Sequence, residues 1–146
     1  MVGLAKRKQR SESIIEIIKR MQNDDTVVIV EGKHDIKALK GIVEYLSSNG
    51  LIPNKEINAV TIDMLIYNCL DIDGKRIIIA TDNDRSGIAK REQAIALIRA
   101  KYPNSTIDEN TGMRLLKILG ANHIEGILGP TREIINPIDA FSKIKR

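Results

Sequence analysis

Short β-branched runs, each followed by a stretch with helical spacing, constrain this chain more than any other feature. Thr26-Val27-Val28-Ile29-Val30 is β-branched throughout, the chemistry of a strand buried on both faces. After it, Ile36, Leu39, Ile42, Val43 and Leu46 recur on one helix face, Asp35 can cap that helix, and Ser47-Ser48-Asn49-Gly50 closes it. A second strand is expected over Ile57–Thr61, then a short helix from Asp63 to Leu70. Asp71-Ile72-Asp73-Gly74 reads as a turn into a third strand, Arg76–Thr81. A helix over Ser86–Ala100 follows, with Ile88, Ala94, Ile95 and Ile98 turned inward, stopped before Tyr102-Pro103. Thr111–Leu119 reads as a helix ended by Gly120, His123–Leu128 as a fourth strand, and Pro137–Lys145 as a last helix. Upstream, Ser13 and Glu16 fit a capping box that opens a helix with Ile14, Ile15, Ile17, Ile18 and Met21 on its apolar face. Strand alternating with helix at these distances builds βαβ units with right-handed crossovers. The expected class is therefore α/β: a parallel sheet of about four strands flanked by helices, preceded by a basic helix.

With 146 residues, 42% of them apolar, the chain suffices for one domain, expected over 24–146, with residues 1–23 as a basic arm and helix. Apolar runs are five residues or shorter, so no membrane span is expected. The first ten residues lack an apolar secretion core, and the single cysteine, Cys69, excludes a disulfide framework or a cysteine-rich zinc site. A cytoplasmic protein is expected. Cys69, on the short helix expected from Asp63 to Leu70, reads as a small core hydrophobe.

The net charge of +4 resides in the first twenty residues, where Lys6, Arg7, Lys8, Arg10, Lys19 and Arg20 face only Glu12 and Glu16. A basic arm ahead of a neutral domain suits nucleic acid, and a merely solvated tail has the same composition. Aromatic residues are only 3% of the chain, so base stacking is not expected to dominate any such contact.

Open parallel sheets bind ligands beyond the carboxyl ends of their strands. Two loops there carry unusual chemistry: Val30-Glu31-Gly32-Lys33-His34-Asp35, and Thr81-Asp82-Asn83-Asp84-Arg85-Ser86-Gly87. If the first and third strands are neighbours, Glu31, Asp82 and Asp84 converge, and a hard divalent cation relieves their repulsion. Such a site, with Mg²⁺ or Mn²⁺ keeping positions open for phosphate oxygens, outlines phosphoryl-transfer chemistry. Gly32 and Gly87 let the backbone turn sharply and approach a ligand closely. Lys33 and Arg85 flank the acids and can hold phosphate or stay solvated. Asp35 reads as a helix cap with a supporting role behind the site open to it.

Glu31-Gly32 after one strand, Asp35, and Asp82-x-Asp84-x-x-Gly87 after a later strand together resemble the Toprim domain. That domain is shared by type IA and type II topoisomerases, DnaG-type primases, OLD-family nucleases and the small ribonucleases that mature 5S ribosomal RNA. The resemblance implies a Rossmann-like Toprim fold. It further implies Glu31 as general acid or base, or as a metal ligand, and Asp82 and Asp84 as ligands of Mg²⁺. Val30–Asp35 leading into Ala38-Leu39 looks most like the 5S-maturing ribonucleases. Ser86 stands where topoisomerases usually place a third acid, and no zinc module of the primase kind precedes the domain.

Competing patterns fit less well. The calcium-loop reading of Asp82-x-Asp84-x-Ser86 fails at Gln93, where glutamate is required. Gly32-Lys33 lacks the first glycine of a P-loop, position 27 being Val. A receiver domain needs an acidic pair where this chain has Glu31-Gly32. His34 is a loop histidine that could touch phosphate, His123 reads as structural, and Arg114 with Lys117 could add to a basic rim. The expectation is Mg²⁺-dependent phosphodiester chemistry, foremost a small nuclease acting on structured RNA, with Lys6, Arg7, Lys8 and Arg10 holding the backbone. A non-catalytic nucleic-acid-binding module or adaptor of a larger complex is the alternative.

Overall fold

The computed structural model describes residues 2–136 of the chain, with side chains from residue 5 onward. Its elements in order are α1 (Val2–Met21), β1 (Thr26–Val30), α2 (Lys33–Ser48), β2 (Ala59–Thr61), α3 (Ile62–Tyr67), β3 (Arg76–Ile79), α4 (Arg85–Lys101), β4 (Thr106–Asp108), α5 (Thr111–Leu119) and α6 (Leu128–Ile134), with a 3-10 turn over Ile124–Gly126. The four strands form one sheet in the order β2-β1-β3-β4, and every pairing is parallel. The expected α/β architecture and the neighbouring first and third strands are both present.

Successive side chains of the two central strands point to opposite faces of the sheet and divide the core between them. Val28, Val30, Ile78 and Ala80 pack with Ile14, Ile17, Ile18 and Met21 of α1, Leu39, Ile42 and Leu46 of α2, and Leu115 and Leu116 of α5. Val27, Ile29, Ile77 and Ile79 face the other way, onto Leu65 of α3 and Ala94, Ile95 and Ile98 of α4. Each such fully buried aliphatic side chain stabilises the fold by about 1.5–3 kcal/mol relative to its exposed state. The β1–β3 pair is thus covered on both faces, which is why its sequence is continuously apolar rather than alternating. Among the described residues, no helix is long and apolar enough to cross a membrane.

Several expectations are corrected. The fourth strand is Thr106–Asp108, not His123–Leu128. Ile124, Ile127, Thr131 and Ile135 are buried at i, i+3, i+7 and i+11, a helical spacing realised as the 3-10 turn and α6, with Pro130 tolerated in the first turn. Helix α1 is already formed at Val2, so Ser13 lies mid-helix and no capping box opens there. Ala5–Arg10 contains good helix formers and nothing to stop them. Ile88 is 39% exposed because Gly87, not Ile88, occupies the buried line that continues through Ala94 and Ile98. Cys69 is exposed, beyond the end of α3. The helix expected over Pro137–Lys145 lies outside the described residues.

Candidate metal centre

The connection from β1 leads to β2 on one side of the sheet, and that from β3 leads to β4 on the other. Between them lies the switch point at which open α/β sheets present ligand sites. Both loops singled out in the sequence leave strand ends there, and each runs directly into a helix N-terminus, where backbone N–H groups favour negative charge.

Local hydrogen bonds set each loop. Gly32 is the N-cap of α2, and its N–H donates to Asp35 Oδ2 at 3.0 Å, so Asp35 caps from inside the first turn rather than from the cap position itself. Burial pushes the Asp35 carboxyl up, opposed by that N–H and reinforced by the nearby charge of Asp82. Asp84 is the N-cap of α4, its Oδ1 accepting the Gly87 N–H at 2.6 Å. Gly87 is required sterically: a Cβ there would overlap the Asp82 carbonyl.

Asp82 Oδ1 accepts the backbone N–H of Ile124 at 2.8 Å. One oxygen of each aspartate is therefore committed to a backbone donor. The remaining oxygens, Oδ2 of both, turn toward His123, whose Nδ1 lies 3.3 Å from Asp82 Oδ2 and 3.7 Å from Asp84 Oδ2. Asp82, Asp84 and His123 are the one group of described residues whose ligand atoms lie within 4.8 Å of one another in a set able to hold a metal ion. The hydrogen bond and charge of Asp82, with Asp84 and Glu125 adding, raise the His123 imidazole above its ordinary value. Two carboxylate oxygens that no backbone donor holds, beside an imidazole at the mouth of a parallel sheet, are a donor set that suits a divalent cation.

A family model described as the Toprim domain matches residues 26–115. The chain belongs to the Toprim family. Its span runs from the start of β1 into α5 and includes both acidic loops. Neither a curated protein nor a solved structure gives a significant match. A Toprim domain carries metal-dependent chemistry on nucleic acid in general, with divalent metal bound through acidic residues.

The remaining expected site residues fall into three places. Glu31 sits beside the group rather than in it. Its Oε2 accepts the Asp82 N–H at 2.7 Å and its Oε1 pairs with Lys90 Nζ at 3.2 Å. Lys33 and Arg85 open α2 and α4, and both are exposed. Lys6, Arg7, Lys8 and Arg10 are exposed on the first half of α1, on a continuous helix and not on a separate arm.

Sequence reasoning missed two neighbours of this Toprim site. Lys90 was legible in principle, because it lies one turn beyond Gly87, which faces the strand ends. His123 follows no motif. It arrives because the Asn83 N–H donates to Asn122 O at 2.7 Å, pinning a distant loop to the aspartate loop.

Proposed function

We propose that this Toprim domain is a divalent-metal-dependent nuclease that cleaves phosphodiester bonds in structured RNA. The observation that carries the reading is the convergence of Asp82 Oδ2 and Asp84 Oδ2 at the switch point while their partner oxygens are locked by backbone N–H groups. Asp82 and Asp84 hold Mg²⁺ or Mn²⁺, and such an ion supplies Lewis-acid polarisation of a scissile phosphate. Glu31 fixes the Asp82 backbone through one oxygen, and its other oxygen, next to Lys90, is placed to accept a proton from an attacking water. Lys33 and Arg85 border the centre and bind flanking phosphates, and Lys6, Arg7, Lys8 and Arg10 extend that contact along α1. Gly87 shapes the loop that follows β3, and Gly32 supplies the N-cap position of α2. RNA is favoured over DNA by the likeness of the Val30–Asp35 stretch to the 5S-maturing ribonucleases, and the cytoplasm is the fitting compartment for such a substrate.

The test incubates wild-type and Asp82→Asn protein with labelled structured RNA, single-stranded RNA and duplex DNA, in Mg²⁺, Mn²⁺ or EDTA. Cutting of structured RNA by wild type alone, abolished by EDTA, is the expected result. Equal cutting by Asp82→Asn would overturn the assignment of the centre. Substrate that is shifted on a gel but left uncut by both proteins would replace the nuclease with a binding module.

A further inference from the structure

We propose that His123 is the third ligand of the Asp82–Asp84 centre and makes it prefer a first-row transition ion over Mg²⁺. The inference rests on the metal-centre reading above and adds the identity of one ligand and the direction of metal choice.

Geometry supports ligation. Donors bound about 2.1 Å from one ion lie roughly 3.0 Å apart when adjacent in its shell and about 4.2 Å apart when opposite. His123 Nδ1 stands 3.3 Å and 3.7 Å from the two carboxylate oxygens that no backbone donor holds, between those limits. The backbone that carries the imidazole is also held in place. On one side of it the Asn122 carbonyl accepts the Asn83 N–H, and on the other the Ile124 N–H donates to Asp82 Oδ1. Two bonds within three residues fasten the histidine loop to the same aspartate loop that supplies the other donors. The ring itself remains 57% exposed, which leaves an open side for water or substrate on a bound ion.

Donor chemistry sets the metal preference. Mg²⁺ is a hard cation that selects oxygen and dehydrates reluctantly, and an imidazole nitrogen adds little to its affinity. Nitrogen donors favour the later divalent ions in the order Mn²⁺ below Co²⁺ below Ni²⁺. A carboxylate pair alone would show a weaker form of that ordering, and His123 steepens it.

The test uses Mn²⁺ and Co²⁺ as probes on the full chain, with binding as the readout. The chain has only two histidines, so protein labelled with ¹⁵N-histidine makes pulsed electron paramagnetic resonance of bound Mn²⁺ decisive. A ¹⁵N coupling is expected in wild type and in His34→Gln, and is expected to vanish in His123→Gln. Calorimetry on the same variants is expected to show about tenfold or greater loss of Co²⁺ affinity in His123→Gln, with Mg²⁺ affinity changed by less than about threefold. Bound Mn²⁺ without nitrogen coupling in wild type, or an unchanged Co²⁺-to-Mg²⁺ affinity ratio in His123→Gln, overturns the inference while leaving the aspartate centre intact. Metal affinity that survives Asp82→Asn overturns the centre itself.

Discussion

Glu31 Oε2 accepts the backbone N–H of Asp82 at 2.7 Å, and this bond ties the residue that follows β1 to the loop that follows β3. The last main-chain rung between the two strands runs from Ala80 N–H to Ile29 O. The Glu31 side chain therefore adds one more rung where the backbones diverge. Removing it leaves a part-buried N–H without its partner at the base of the aspartate loop, which costs about 1–3 kcal/mol. Glu31→Ala is expected to lower the midpoint of urea unfolding and to weaken Mn²⁺ binding. Glu31→Gln, whose amide oxygen can accept the same N–H, is expected to keep near-wild-type stability and to lose cleavage. Equal stability of the alanine variant and wild type would remove this bond from the account of the loop.

Gly87 offers a second handle on the same loop. A methyl group at its Cα would overlap the Asp82 backbone, which is not the flexible end of a side chain and cannot swing away. Gly87→Ala is expected to displace the start of α4, cost about 1–3 kcal/mol and weaken Mn²⁺ affinity together with stability. Gly32→Ala, where a Cβ meets nothing within 4 Å, is the control expected to change either property little. Equal behaviour of the two variants in chemical unfolding would contradict the close packing at Gly87.

The legibility of the chain followed the physics of each segment. Val27–Val30 and Ile77–Ile79 declared themselves because strands covered on both faces must be continuously apolar. The Asp82-x-Asp84 loop was legible because its acids are neighbours in the chain and end a strand. Thr106–Asp108 carries one apolar residue at a sheet edge, too short and too polar for any periodicity to register. Ile124, Ile127 and Thr131 do carry a helical spacing, but Gly126, Gly129 and Pro130 obscure it in a window dense in breakers. His123 was out of reach for a different reason. Its place depends on two tertiary hydrogen bonds, from Asn83 N–H to Asn122 O and from Ile124 N–H to Asp82 Oδ1, and no local preference encodes them.

The pH dependence of stability has a contributor outside the metal centre. Burial alone would raise the Asp108 carboxyl. Hydrogen bonds from the Thr111 hydroxyl and from the backbone N–H groups of Thr111 and Asn110 outweigh it, and the group stays below its ordinary value. A depressed carboxyl stabilises the fold at pH above its unfolded value of about 3.9 and loses that contribution as pH falls through the folded value. At pH 7, Asp108→Asn is expected to melt lower than wild type by roughly 3 °C, the effect of losing about 1 kcal/mol at the start of a helix in a chain of this size. The gap is expected to narrow between pH 7 and pH 2.5, as falling pH begins to protonate Asp108 and its charge is lost. A gap that is constant between the two pH values would mean that the charge of Asp108 does not stabilise α5.

The basic half of α1 makes a prediction separable from catalysis. Lys6, Lys8 and Arg10 are exposed on a helix whose apolar residues Ile14, Ile17 and Ile18 anchor it to the sheet. A rigid helix presents these charges in fixed positions, so each that contacts a phosphate releases counterions on binding. In such a contact the logarithm of affinity falls with the logarithm of salt by about 0.9 per phosphate neutralised on duplex DNA, and by about 0.7 on a single strand. Lys6→Gln, Lys8→Gln and Arg10→Gln combined are expected to weaken gel shift of structured RNA and to reduce its salt slope by about 2–3 between 50 and 200 mM. The single-turnover rate at saturating protein is expected to stay near wild type, because these residues belong to α1 and not to the loops that follow β1 and β3. A slope that does not change would leave α1 solvated in the complex and shift the whole phosphate contact onto Lys33, Arg85 and the rim of the metal centre.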